Sequence, residues 1–401
     1  MNLQRFAIPA FILGFVLSGI STVFAEDPSE ASKSPFEIST VYEVDPDVTT
    51  KRGYRIPSIV AAKSGTLLAF SERRTGFRDH AENDIVLRRS HDEGQTWGAL
   101  QVIADSGSDS LNDPIAVQLT TGRILLRWTH FPRGIHANNS KHTVIADPGY
   151  DGPKNVRIWL AHSDDDGATW SAPRDVTRMM RREQAVSLGS PGSGIQLMHG
   201  VHAGRILLPN YEVYHLGGGR RKTINSVSIS DDGGETWSLS EQVPEPTPET
   251  QNFGDEAQIA ELSDGSILMS ARDEPKGGHR KLSVSRNGGQ SWEPHRIAAD
   301  LMTPPCMSSL IRYEWPQEKT AGLLLHTLPA TPSSRSHGTI FVSRDEGRSW
   351  SRSITVTEGA FAYSCLIRLP NGDVGCLYEA DEYRRIVFAR IPAEQITRER
   401  P

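Results

Sequence analysis

Three arginines, three carboxylates and one phenol in this 401-residue sequence have types and spacing that allow chemistry. Arg55 stands in "YRIPSIV", Arg272 in "LMSARDE" and Arg335 in "TPSSRSHGTIF". Asp79 lies in "RRTGFRDHAENDIV", Glu256 in "FGDEAQIAEL" and Glu379 in "CLYE", while Tyr363 opens "FAYSCLIRL". A guanidinium stays charged and presents a planar fork of donors that matches an anion such as a carboxylate. Carboxyl groups can give or take a proton, and a phenol attacks only when a base stands beside it. Singly, each residue has a plain structural reading: an arginine at a strand end is usually solvated, a loop aspartate makes a turn, and a strand tyrosine packs in a core. The set carries more weight, because its members recur at corresponding places, beside the start or end of a strand pattern, along most of the chain.

The elements that must position them are repeated. Five eight-residue boxes, "SHDEGQTW" at Ser90, "SDDDGATW" at Ser163, "SDDGGETW" at Ser230, "SRNGGQSW" at Ser285 and "SRDEGRSW" at Ser343, follow one another at intervals of 55 to 73 residues. Between them runs a second repeat, a turn glycine followed by an aliphatic strand, at Gly65, Gly122, Gly204, Gly265, Gly322 and Gly372. A short strand pattern precedes each box, as in "DIVLRRS" and "TIFVS", with β-branched residues and partial alternation. One unit therefore reads strand, turn, strand, loop, strand, box, strand, the content of a propeller blade. The spacing predicts a six-bladed β-propeller, all-β, over residues 36–401. The sixth hairpin has no box, and only "RRIVFARI" follows it, so "FEISTVYEV" at residues 36–44 is expected to supply its outer strand and close the ring. Inside each box the aspartate suits an Asx turn, the glycine suits a positive φ and the tryptophan suits packing between sheets. The boxes are scaffold, not chemistry.

Bulk properties narrow the classes further. A net charge of −6 without a basic run argues against nucleic-acid binding. Residues 1–25 carry one charge, Arg5, and an apolar run ending at Val23–Phe24–Ala25, the pattern of a signal peptide. Residues 26–35 read as a disordered lead-in, and the mature chain as exported, secreted or periplasmic, with no membrane span. Three cysteines do not make a disulfide framework. Cys365 and Cys376 flank one hairpin and could pair, but buried free thiols are the expectation. No CxxC motif or Cys/His cluster suggests a metal.

The boxes, the Arg-Ile-Pro opening and the Ala-Tyr-Ser strand together resemble the exo-α-sialidases (neuraminidases), retaining glycoside hydrolases with Asp boxes. The resemblance covers essentially the whole mature chain. Asp boxes alone are unspecific; the ordered set Arg-Ile-Pro, Asp, Glu, Arg, Arg, Tyr is strong. The resemblance implies that Arg55, Arg272 and Arg335 grip the substrate carboxylate, that Asp79 is the acid/base, and that Tyr363 is the nucleophile paired with Glu256. It implies that Glu379 and Glu72 hold the arginines in place and that Arg74 adds a substrate contact. Spacings of 16 residues from Glu256 to Arg272 and 28 from Arg335 to Tyr363 suit bacterial members. Asn112 and Asp113 in "LNDPIAV" are candidates for the remaining sugar contacts. Two features depart from the pattern: "KTINSVSIS" replaces an aromatic-rich strand, and residues 130–154 form a long loop suited to a pocket rim.

Sialic acid carries a carboxylate on its anomeric carbon, which explains both the arginines and the phenol. A carboxylate nucleophile would meet like-charge repulsion there, whereas a neutral tyrosine does not, and sialidases are an exception to the two-carboxylate rule for this reason. The expected activity is hydrolysis of terminal α-linked sialic acids on glycoproteins, glycolipids or oligosaccharides with retention, by a monomer without metal or organic cofactor. Two other readings remain: a propeller glycosidase acting on another acidic ulosonic sugar, and a non-catalytic carbohydrate-binding propeller.

Overall fold

The computed structural model describes residues 34–45, 52–76, 78–137, 144–217, 220–244, 254–273 and 278–398. The expected signal peptide and most of the lead-in lie outside the described residues. The described residues are all-β apart from a few short helical turns such as Thr177–Met180 and Ala393–Thr397, and their strands form mainly antiparallel sheets in a β-propeller arrangement.

Hydrogen bonding does not draw six separate blades. Four sheets each hold one four-strand path, and the first two expected blades, with Gly192–Ser193 from the third unit, share a single nine-stranded sheet. The physical reason is local: Asn83 on one strand pairs in parallel with Ser110 on the next unit's first strand and joins the two ladders. The closing strand is where the sequence puts it. Glu37–Glu43 pairs antiparallel with Arg385–Ile391, Thr40 opposite Val387, and so completes the last sheet with the first residues of the fold.

The boxes form the expected turns. In the second, Ser163 Oγ donates to Asp165 Oδ1 at 2.8 Å, Gly167 N donates to Ser163 Oγ at 2.9 Å, and both Thr169 N and Thr169 Oγ1 donate to Asp165. The fourth keeps the turn with Asn287 accepting from Ser291 N at 2.9 Å. The glycines do more than adopt positive φ. A Cβ on Gly94 would lie 2.3 Å from Phe388, on Gly167 2.3 Å from Leu68, on Gly234 2.7 Å from Leu125 and on Gly347 2.4 Å from Leu268. Each box therefore seats against the sheet segment of the preceding unit, and the first against the last. Apolar clusters fill the same boundaries; one joins Ile59 and Leu67 to Leu377 and Phe388.

The strands that begin each unit lie side by side around a common centre. Arg52–Ala61 packs on Ser110–Gln118 and on Ser364–Arg368, and Ser309–Glu314 on Ala257–Glu261. Ser58 Oγ donates to Gly192 O at 2.6 Å across this centre. The third such strand is broken into Val186–Gly189, Gly192–Ser193 and Ile195–Gln196. Pro191 lacks an N–H for the ladder, and Gly192 holds φ at 112°. All three cysteines are buried free thiols. No helix among the described residues is long and apolar enough to cross a membrane.

Candidate active site

One end of these first strands opens into a cleft lined by Arg55, Arg74, Asp79, Glu256, Arg272, Arg335 and Tyr363. All seven come from the sequence-derived set. Asn112 and Asp113 line it as well. Among the described residues no group of three or more His, Cys, Asp or Glu side chains is arranged to hold a metal ion.

Tyr363 and Glu256 stand 107 residues apart in sequence and touch. The phenol donates to Glu256 Oε1 at 2.5 Å, with Oε2 at 2.7 Å. Arg272 Nη1 lies 2.9 Å from both Glu256 Oε2 and the Tyr363 oxygen. Burial raises the Tyr363 pKa well above the usual phenol value, and the Glu256 charge adds to this against Arg272 and Arg335. Burial also raises Glu256, against the pull of Arg272. The pair thus holds one proton on the phenol, beside a carboxylate made more basic than usual.

Glu379, buried, organises the opposite wall. Its Oε1 accepts from Arg55 Nε at 2.5 Å and from the Ile56 backbone N–H at 2.9 Å; its Oε2 accepts from the Tyr363 N–H at 3.2 Å. Burial alone would weaken the Arg55 cation, but Glu379 more than offsets it and raises its pKa. Ile56 holds φ at 63°, an outlier for a β-branched residue, so the Arg-Ile-Pro bend is strained where it aims Arg55. Arg335 donates to the Tyr383 hydroxyl at 3.1 Å and to Pro305 O at 2.8 Å. The Arg55 and Arg335 guanidiniums lie 5.4 Å and 5.2 Å from the Tyr363 ring centroid, so with Arg272 three cations converge on one phenol.

Two placements differ from expectation. Glu72 does not reach the three converging arginines; it pairs with Arg74, whose Nε and Nη2 lie 2.7 Å and 2.6 Å from Oε2. The two residues sit two apart on one strand and so share a face. Arg74, buried and tied on its other side to Asp79 Oδ1 at 2.8 Å, is an anchor for Asp79 more than an open contact. The Asp79 side chain is 69% exposed at the cleft mouth. Partial desolvation works to raise its pKa, but Arg74 and Arg55 outweigh this and hold it below the usual carboxylate range. Asp113 goes the other way: burial, with Glu72 and Glu256 nearby, pushes its carboxyl well above the usual carboxylate range.

The sequence did not single out Tyr383, whose ring lies 4.3 Å from the Arg55 guanidinium while its hydroxyl takes Arg335. It ends a run of three residues at positive φ, Asp381 to Tyr383, and no motif in "EADEYRRI" marks it. Tyr211 also lines the cleft unannounced.

The BNR repeat-like domain matches residues 65–376. The chain belongs to the BNR repeat-like domain family. The chain is 36% identical over 340 residues to a sialidase of Micromonospora viridifaciens, covering 81% of this chain and 50% of that one. It is 29% identical to a sialidase of Bacteroides fragilis, over 82% of this chain and 60% of that one, and 28% identical to mouse sialidase-2, over 85% and 92%. The chain thus spans 50% and 60% of the two bacterial relatives. Among solved structures, a Hadza microbial sialidase, Hz136, superposes with a TM-score of 0.73 at 29% identity, over 86% of this chain and 66% of that chain. A leech intramolecular trans-sialidase gives 0.74 at 20% identity, over 90% and 71%, and shares the fold.

Proposed function

We propose that this BNR repeat-like chain is an exo-α-sialidase that releases terminal sialic acids from glycoproteins, glycolipids or oligosaccharides with retention. The contact that carries the reading is the Tyr363–Glu256 hydrogen bond at 2.5 Å beneath three converging guanidiniums. Similarity to sialidases over most of the chain supports it. On this reading Arg55, Arg272 and Arg335 take the carboxylate of the sugar, each charge-assisted bond contributing about 1.5–3 kcal/mol.

The first step breaks the glycosidic C–O bond. Tyr363 Oη attacks the anomeric carbon as its proton passes to Glu256, already in contact. Asp79 gives its proton to the leaving oxygen. Arg74 and Arg55 favour the Asp79 anion in the empty site; a substrate carboxylate on Arg55 offsets one of these cations and raises the Asp79 pKa, so that the proton is in place when the leaving oxygen needs it. In the second step Asp79 takes a proton from water, the water oxygen attacks the same carbon, and the tyrosyl oxygen leaves with the proton held by Glu256. Two inversions return the α-anomer.

The fold is read as six blades, the nine-stranded sheet being two blades bridged by Asn83 and Ser110 and joined by Gly192–Ser193 of the third. The cyclic seating of the box glycines on the preceding unit supports that count. Export by the N-terminal segment and a monomeric state complete the proposal. It is tested by proton NMR of the first sugar released from an α-sialoside, beside an analogue lacking the acetamide. The α-anomer from the sialoside is the expected product. Release from the deaminated analogue alone transfers the reading to other ulosonic acids, and no release from either, by folded chain, refutes it.

A further inference from the structure

We propose that His80 and His136 are positioning residues for Asp79: together they lock the turn that carries this carboxylate against the inner strand and the long loop of the next unit. The proposal rests on the reading of Asp79 as acid/base.

Asp79 stands on an irregular segment between two strands, with its side chain largely in solvent. Such a segment does not by its own hydrogen bonds hold a carboxyl to the tolerance that proton transfer requires. Two sets of contacts supply the constraint. The first closes a circuit. Asp79 binds Arg74 at 2.8 Å, Arg74 binds Glu72 at 2.6 Å, and Glu72 accepts from the Asn112 amide at 3.2 Å. The Asn112 carbonyl oxygen then accepts from His80 Nδ1 at 3.3 Å, and His80 is the next residue after Asp79. The carboxylate and its own chain neighbour are thus held by one network, which fixes the Nδ1–H tautomer of His80.

The second set is aromatic. The His80 ring lies 4.0 Å from Phe131 and 4.0 Å from His136, edge to face with the latter. The Asp79 charge and backbone also act on the His136 ring and favour its charged form. His80 holds φ at 55°, a conformation uncommon outside glycine, so these contacts sustain an unfavourable backbone. Burial pushes the His80 pKa down to about 3 and lowers that of His136, so the two rings meet as neutral imidazoles. The residue contributed by the long loop makes that loop part of the acid/base apparatus, not only a rim.

The test uses leaving groups. An aryl oxide departs with little help, whereas a sugar alkoxide needs a proton in the transition state. The ratio of kcat/KM for a sialyl oligosaccharide to that for an aryl α-sialoside therefore reports Asp79 placement and cancels any loss of folded enzyme. It excludes the second step, since kcat/KM covers events only through the first irreversible one. In His80→Leu and His136→Leu the ratio is expected to fall at least tenfold, the aryl substrate losing less than about threefold. His80→Asn, which tolerates the left-handed backbone and keeps an N–H, is expected to recover part of the ratio. Equal losses on both substrates, or no change, overturn the positioning role while leaving the functional reading standing. A parent whose turnover of both substrates survives Tyr363→Phe refutes the functional reading, and the histidine ratio is then judged apart from it. A folded parent that cleaves neither substrate overturns both.

Discussion

Replacing Glu379 by Gln removes the charge from the carboxylate that ties Arg55 to the Tyr363 strand. The native group accepts three hydrogen bonds, from Arg55 Nε, Ile56 N and Tyr363 N. Glu379 is 1% exposed and Arg55 9%. A glutamine oxygen placed toward Arg55 and Ile56 leaves its amide N–H facing the Tyr363 N–H, donor against donor. An unsatisfied buried N–H costs about 1–3 kcal/mol, and breaking a buried ion pair about 3–5 kcal/mol in all. With an unfolding entropy of about 2.1 cal/mol/K per residue, a unit of this size loses ~4–7 °C in Tm. Arg55 also loses the partner that aims it, so kcat/KM on an α-sialoside is expected to fall ten- to a hundredfold, the worth of one charge-assisted bond. Differential scanning calorimetry and steady-state kinetics on the same preparation read both quantities. A Gln variant with the parent's Tm and kcat/KM would refute the claim that Glu379 supports Arg55 and the Tyr363 strand.

Further outcomes follow from the same contacts. Gly167→Ala places a Cβ 2.3 Å from Leu68 at a φ of 77°, so it is expected to destabilise by about 1–3 kcal/mol, a drop of roughly 1–4 °C in Tm with kcat/KM per folded molecule unchanged. Because the Arg74 cation lowers the Asp79 pKa, Arg74→Met is expected to raise it. The alkaline limb of the kcat/KM profile on a sialyl oligosaccharide, where Asp79 must be protonated, then moves to higher pH; a limb that stays or moves to lower pH contradicts the assignment. Tyr383→Phe loses the Arg335 contact at 3.1 Å but keeps the ring on Arg55, so KM should rise severalfold while kcat changes little; a loss confined to kcat counts against a role in carboxylate binding.

What the sequence made legible was whatever local chemistry writes out. Ser163, Asp165, Gly167 and Thr169 sit within seven residues and form their turn among themselves, so the boxes were readable as turns. That Gly167 also accepts Leu68 from the preceding unit was not, because the contact spans sheets. The cleft residues were found because Arg55, Asp79, Glu256, Arg272, Arg335 and Tyr363 keep a family order. Glu72 supports Arg74 and not the three converging arginines, because its two-residue spacing from Arg74 on one strand face decides its partner. His80 and His136, 56 residues apart, meet only because the long loop returns to the cleft. The fusion of two expected blades turns on one bridge, Asn83 to Ser110, which no strand pattern predicts.

The central claim is that Tyr363 is the attacking group, and the direct measurement is sugar release from a fluorogenic α-sialoside by the chain from residue 26 and by its Tyr363→Phe variant. The account predicts turnover by the parent and a fall of at least about a hundredfold in kcat/KM in the variant, on the order of 2.7 kcal/mol of transition-state stabilisation. A folded Tyr363→Phe protein that releases sugar at the parent's rate would contradict it.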